Sequence, residues 1–173
     1  MLTNTKAPVI ALVLAALPLS VNAQDGTVRP PANHDEGRAY AEQLADAIDI
    51  DRDGTIQDSE LLAFAEVAFR TVDVDESGTM SEAEMVGWRY GMKRLAIFRE
   101  REQAYRTTIA LVFDIFDENN DGQVDRDEHV AAVQRSAAYA DYNGNGLLER
   151  DEYLSGFIFN VAMRAALVTE DMR

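Results

Sequence analysis

Cysteine is missing from all 173 residues, which excludes disulfides, thiolate metal sites and a cysteine nucleophile. Histidine is nearly missing as well. His34 and His129 are the only two, too few to supply a histidine-based triad or a zinc site. No P-loop and no dinucleotide-binding glycine motif occurs, and no enzymatic centre is expected. Positive charge is also scarce: 16 lysines and arginines stand against 31 aspartates and glutamates. A formal charge of −15 argues against nucleic acid or an anionic membrane as principal ligand and makes cations the natural partners.

Long apolar runs are limited to one, near the start. Lys6 is followed by an apolar stretch from 7 to 19 and then by Val21-Asn22-Ala23, the small-x-small form cut by signal peptidase. The stretch is short for a bilayer span, so residues 1–23 read as a cleaved signal peptide rather than an anchor. The expected destination is export, periplasmic or secreted. Cleavage removes Lys6 and no acid, taking the formal charge from −15 to −16. Residues 24–37, with Gly26, Pro30, Pro31 and Asn33, have the composition of a flexible leader.

What the chain does have is a repeat. Four segments align without a gap: DIDRDGTIQDSE from Asp49, DVDESGTMSEAE from Asp73, DENNDGQVDRDE from Asp117 and DYNGNGLLERDE from Asp141. They define loops at 49–60, 73–84, 117–128 and 141–152, each of the form D-x-[DNS]-x-[DNS]-G with glutamate twelfth. Calcium takes six to eight oxygen ligands in a flexible shell, and each offset suits one part of it. Positions 1, 3 and 5 offer side-chain oxygens from Asp49, Asp51 and Asp53; Asp73, Asp75 and Ser77; Asp117, Asn119 and Asp121; and Asp141, Asn143 and Asn145.

The sixth position turns the chain sharply and is Gly54, Gly78, Gly122 or Gly146. Position 7 contributes only a backbone carbonyl, so Thr55, Thr79, Gln123 and Leu147 can differ freely. The ninth, often acting through water, is Gln57, Ser81, Asp125 or Glu149. Glu60, Glu84, Glu128 and Glu152 close each shell as the bidentate ligand. Ile56, Met80, Val124 and Leu148, at position 8, are apolar among polar neighbours and are expected to face inward in short strand contacts between paired loops. One such string is often an acidic surface turn; four aligned copies point to calcium, up to four ions. Coordinating acids number four in loops one and three but three in loops two and four, so tighter binding is expected in the former.

Helical periodicity flanks the loops. Ala41, Leu44, Ala45 and Ile48 precede loop one, Ala65, Ala68, Phe69 and Val72 precede loop two, and Ile109, Val112, Phe113 and Phe116 precede loop three. Val133, Ala137 and Ala140 repeat the pattern more weakly before loop four. Leu61 and Phe64, Met85 and Trp88, and Tyr153 and Phe157 follow loops one, two and four as core, while His129 breaks the apolar rule after loop three. On these residues the chain resembles the EF-hand superfamily over about 39–164, and exported bacterial multi-EF-hand proteins in particular. The resemblance implies an all-α, calmodulin-like fold of four helix-loop-helix motifs in one compact domain, 38–168, with 169–173 as a tail.

The loop spacing departs from that pattern. Starts lie 24 residues apart within each half but 44 apart between Asp73 and Asp117. Residues 61–72 must then serve as the exiting helix of loop one and the entering helix of loop two, and 129–140 likewise for loops three and four. Twelve helical residues span roughly 18 Å, whereas paired strands lie about 5 Å apart. Loop two is therefore expected to pair with loop three and loop one with loop four.

Segment 85–106 carries Arg89, Lys93, Arg94, Arg99, Arg101 and Arg106 with Met85, Trp88, Met92, Leu95 and Phe98. It reads as a basic amphipathic site for a protein target or, more simply, as the exiting and entering helices of loops two and three. The function expected is calcium buffering or sensing. The alternative is a dockerin-like, calcium-stabilised interaction module, although such loops usually end in aspartate and lack a preceding helix.

Overall fold

The computed structural model describes residues 35–168. The expected signal peptide, the leader up to residue 34 and the tail 169–173 lie outside the described residues. The described residues form eight helices and four two-residue strands. Helix α1 is Asp35–Ile48 and leads into loop one, whose strand β1 is Thr55–Ile56. Its start at Asp35 makes the last positions of the stretch read as leader helical. Helix α2, Asp58–Val72, runs from loop one into loop two, which holds β2, Thr79–Met80. Two short helices follow, α3 at Glu82–Gly87 and α4 at Lys93–Phe98, and then α5 at Glu102–Phe116 enters loop three. Strand β3, Val124–Asp125, helix α6, Arg126–Ala140, and strand β4, Leu148–Glu149, repeat the first-half order; α7, Arg150–Gly156, and α8, Ile158–Ala166, complete it.

The helices shared between successive loops are present as the spacing requires: α2 and α6 are each one uninterrupted helix of 15 residues. Each starts and stops on loop chemistry. At the N-terminus of α6 the Asp125 carboxylate accepts the Glu128 N–H at 2.8 Å, a capping interaction that satisfies a donor left unpaired by the first turn. At the C-terminus the Asp141 N–H donates to Ala137 O at 2.9 Å, as Asp73 N–H does to Phe69 O at the end of α2. Beyond that residue the chain leaves helical geometry, with ψ near 81° at Asp141 and 83° at Asp73.

Strand pairing follows the crossed arrangement. β1 pairs antiparallel with β4, Ile56 opposite Leu148, and β2 with β3, Met80 opposite Val124. Ile56 is not beside Met80. All four position-8 side chains are buried and join one core that runs through both halves, with Ile48, Leu61, Phe69, Ile109, Phe113 and Tyr153. Every apolar residue placed in the core from the flanking periodicity is buried, apart from Ala137, which is partly covered. Helices α2 and α6 pack directly against each other. Gly156 permits a further close approach: a Cβ there would sit 2.8 Å from the Cα of Ala140, so a side chain would force α7 away from α6.

Segment 85–106 is not one helix. The chain breaks at Trp88 (φ −52°, ψ 118°), turns, resumes in α4 and breaks again at Arg99. Met85, Trp88 and Met92 point into the core, and the Trp88 indole N–H donates to Thr71 Oγ1 on α2 at 2.9 Å. Two of the bases act within the fold. Arg99 Nη1 donates to Leu167 O and Arg101 Nε to Ala166 O, both at 3.3 Å, placing positive charge on the carbonyl end of α8. Arg106 pairs with Glu102. Arg89 lies over the Tyr90 ring.

Candidate metal centres

Within each loop the backbone wraps around the same two carboxylates. The position-1 aspartate accepts from the position-6 glycine N–H: Gly54 to Asp49 Oδ2 at 3.0 Å, Gly78 to Asp73 Oδ2 at 3.0 Å, Gly122 to Asp117 Oδ2 at 2.9 Å and Gly146 to Asp141 Oδ2 at 2.9 Å. Its other oxygen accepts from the position-5 N–H in every loop, at 2.9–3.1 Å. These bonds require the chain to reverse at the glycine, and all four have φ between 77° and 91°, a region where a Cβ is strained.

The twelfth-position glutamate bridges the two ends of the loop. One carboxylate oxygen accepts from the loop's second or third residue: Ile50 N–H to Glu60 at 2.7 Å, Val74 to Glu84 at 3.0 Å, Asn119 to Glu128 at 3.1 Å and Tyr142 to Glu152 at 3.0 Å. The other accepts from the position-9 N–H at 2.9–3.0 Å in every loop. Gln57, Ser81, Asp125 and Glu149 thus stand at the N-caps of the exiting helices. Glu60, Glu128 and Glu152 are buried, whereas Glu84 is partly exposed.

Loops one and two gather carboxylates most tightly. One oxygen each from Asp49, Asp51 and Asp53 lies within 4.8 Å of the others, and the same holds for Asp73, Asp75 and Glu84. Hydrogen bonds from the Thr55 hydroxyl and N–H lower the Asp53 pKa, and those from Ser77 lower that of Asp75. Glu84 shifts the same way: burial raises its pKa, but bonds from Ser81, Val74 and Asp75 outweigh it. The hydrogen bonds thus favour the charged forms of Asp53, Asp75 and Glu84 beside neighbouring acids, an arrangement that a hard cation relieves. Loops three and four carry amides at Asn119, Asn143 and Asn145, which bring oxygen without charge; Asn119 Oδ1 accepts from Asp121 N–H at 2.8 Å and Asn143 Oδ1 from Asn145 N–H at 3.0 Å.

The donor set fits a hard divalent ion. Side-chain oxygens at positions 1, 3, 5 and 12 come from one short loop in all four repeats, and none of the four loops contains histidine or cysteine. At position 7 the side chains of Thr55, Thr79, Gln123 and Leu147 differ, and Thr79 Oγ1 donates across the strand pair to Gln123 Oε1 at 2.9 Å.

Two features escaped the reading of the motif. Position 4 is left-handed in every loop, with φ 60° at Arg52, 59° at Glu76, 59° at Asn120 and 69° at Gly144; only the Asn and Gly hinted at it. His129 lies buried between the rings of Phe69 and Phe116, with centroids 5.7 and 5.9 Å away. Burial pushes its pKa down to about 4, and its Nδ1 has no hydrogen-bond partner among the described residues.

An EF hand family model matches residues 46–65 and 109–128. These segments contain loops one and three with parts of their flanking helices, and the two matches support the EF-hand superfamily. With the acidic loop clusters they support calcium binding. No curated protein matches the chain.

Proposed function

We propose that this chain binds up to four calcium ions, one in each loop, and acts as an exported calcium buffer or sensor. The observation that carries the reading is the fourfold recurrence of one cradle, in which aspartate at position 1 and glutamate at position 12 are both held by loop N–H groups. The ligand residues are those at positions 1, 3, 5, 7 and 12, with position 9 as N-cap and water-mediated contact. A bound ion would supply charge neutralisation. The residues do the rest: the glycine turns the loop, the N–H bonds orient the carboxylates, and the glutamate joins loop to exiting helix. Affinities around 10⁻⁴ to 10⁻³ M suit an exported module. The role is binding rather than catalysis.

One feature gives the sensor reading a surface to expose. An apolar cavity of about 60 Å³ between the halves is lined by residues including Leu44, Phe64, Met85, Trp88, Phe157 and Phe159. Separation of the helices would expose these side chains to a partner. A protein target could also meet the exposed Arg94, Ile97 and Phe98 of α4. A calorimetric calcium titration with an environment-sensitive apolar dye tests both levels. Binding with a dye response supports a sensor, binding without one a buffer, and no heat or uptake at millimolar calcium refutes the proposal. Capture of a cohesin-like partner would instead favour the dockerin-like alternative. Export is tested by the mature N-terminus, expected at Gln24.

A further inference from the structure

We infer that the four loops work as one closed ring rather than as two independent pairs, with α2 and α6 as rigid links. The inference rests on the calcium reading and goes beyond it, because strand pairing alone joins loop one to loop four and loop two to loop three. The shared helices supply the missing connections. Glu60, which closes loop one, lies in the first turn of α2, and Asp73, which opens loop two, caps its other end. Glu128 and Asp141 hold the same places on α6. Around the molecule, loop one leads through α2 to loop two, across β2–β3 to loop three, through α6 to loop four and across β4–β1 back to loop one.

A ligand that draws positions 1 and 12 together fixes the angle between a loop's entering and exiting helices. For loop one that sets α2 against α1; for loop two it sets α3 against α2. Neither loop can adjust α2 without presenting a changed Asp73 or Glu60 to the other. The last turn of α2 is tied down further, since Thr71 accepts from the Trp88 indole just after α3. The two link helices are also fastened to each other. They pack together with Phe69 against His129, and Arg126, the tenth residue of loop three, pairs with Glu66 on α2 while its guanidinium lies 5.0 Å from the Phe69 ring centre. Arg150, at the same offset in loop four, pairs with Asp46 on α1.

The position-6 glycine amides provide one reporter per site, because each donates to its own position-1 carboxylate. Calcium titrations followed by ¹H–¹⁵N NMR of Gly54, Gly78, Gly122 and Gly146 are compared between the wild-type chain and Glu60→Gln. The ring predicts that the Gly78 midpoint rises at least about fivefold, the lower end of ordinary site-to-site coupling, besides any shift at Gly146. Linkage is reciprocal, so Glu84→Gln must raise the Gly54 midpoint by a similar factor, and this variant serves if Glu60→Gln does not fold. A Gly146 shift with Gly78 unmoved, or Gly54 unmoved in Glu84→Gln, overturns the ring and leaves calcium binding intact. If no glycine amide of the wild-type chain responds to calcium, the calcium reading falls, and the ring with it.

Discussion

The two strand-paired units have the same register but are fastened differently. In the unit of loops two and three, Thr79 and Gln123 meet across the pair at 2.9 Å, and Arg126 reaches both Glu66 and the Phe69 ring. In the unit of loops one and four, Leu147 stands where Gln123 stands, and Arg150 pairs with Asp46 and reaches the Glu42 carbonyl, both on α1. Each unit combines a loop with four acids at candidate ligand positions and one with three, so the ionic content of the two is equal. What differs is the polar linkage around similar sites. The loops share one ligand chemistry, and the side chains that join one loop to another do not match.

The largest effect expected is common to both units. A ligand at 100 times its dissociation constant stabilises the folded state by about 2.7 kcal/mol per site, so chelation should lower the melting temperature of the whole domain in a single transition. Separate transitions for the two units in calorimetry would break the picture of one core.

The next effect distinguishes them, because His129 occupies the position filled by Leu61 and Tyr153 in the other unit. The folded imidazole stays neutral down to about 4, whereas an unfolded one takes up a proton near 6.5. Stability is therefore full above about pH 6.5 and is lost as pH falls towards 4, by on the order of 3 kcal/mol. His129→Leu should remove this loss, seen as a growing difference from wild type in urea unfolding between pH 7 and pH 4. A constant difference would contradict the assignment.

Third comes backbone strain, which should be equal in the two units. Gly122→Ala and Gly146→Ala place a Cβ in open space but at φ 84° and 77°, so each should cost about 1–2 kcal/mol and weaken its own loop. Unequal costs in thermal unfolding would show that one unit braces its loops more than the other. The smallest effect concerns the cross-pair bond. Gln123→Leu makes the unit of loops two and three resemble that of loops one and four and should cost about 0.5–1.5 kcal/mol of interaction between loops two and three, read in a double-mutant cycle with Thr79→Val.

Much of this was legible in the repeat. Offset counting located the loops, the position-8 core residues and the glutamates, and the 24-residue spacing implied both the shared helices and the crossed pairing because a rigid helix cannot bring its two ends into strand contact. Periodicity was a poorer guide between Met85 and Arg106. The stretch has the residues of a basic amphipathic helix, yet the break at Trp88 turns the indole and Met92 inward, and Arg99 and Arg101 serve the end of α8. Those roles depend on a helix more than 60 residues further along, which no local pattern records. The left-handed fourth position was equally hidden, because Arg52 and Glu76 have no intrinsic preference for it and adopt it under the constraint of the loop's hydrogen bonds.

Counting bound ions tests the central claim most directly, since the family match covers loops one and three while the repeat marks four. Native mass spectrometry of the chain in saturating calcium should resolve a species carrying four ions. A distribution that stops at two would contradict it and leave loops two and four as acidic turns.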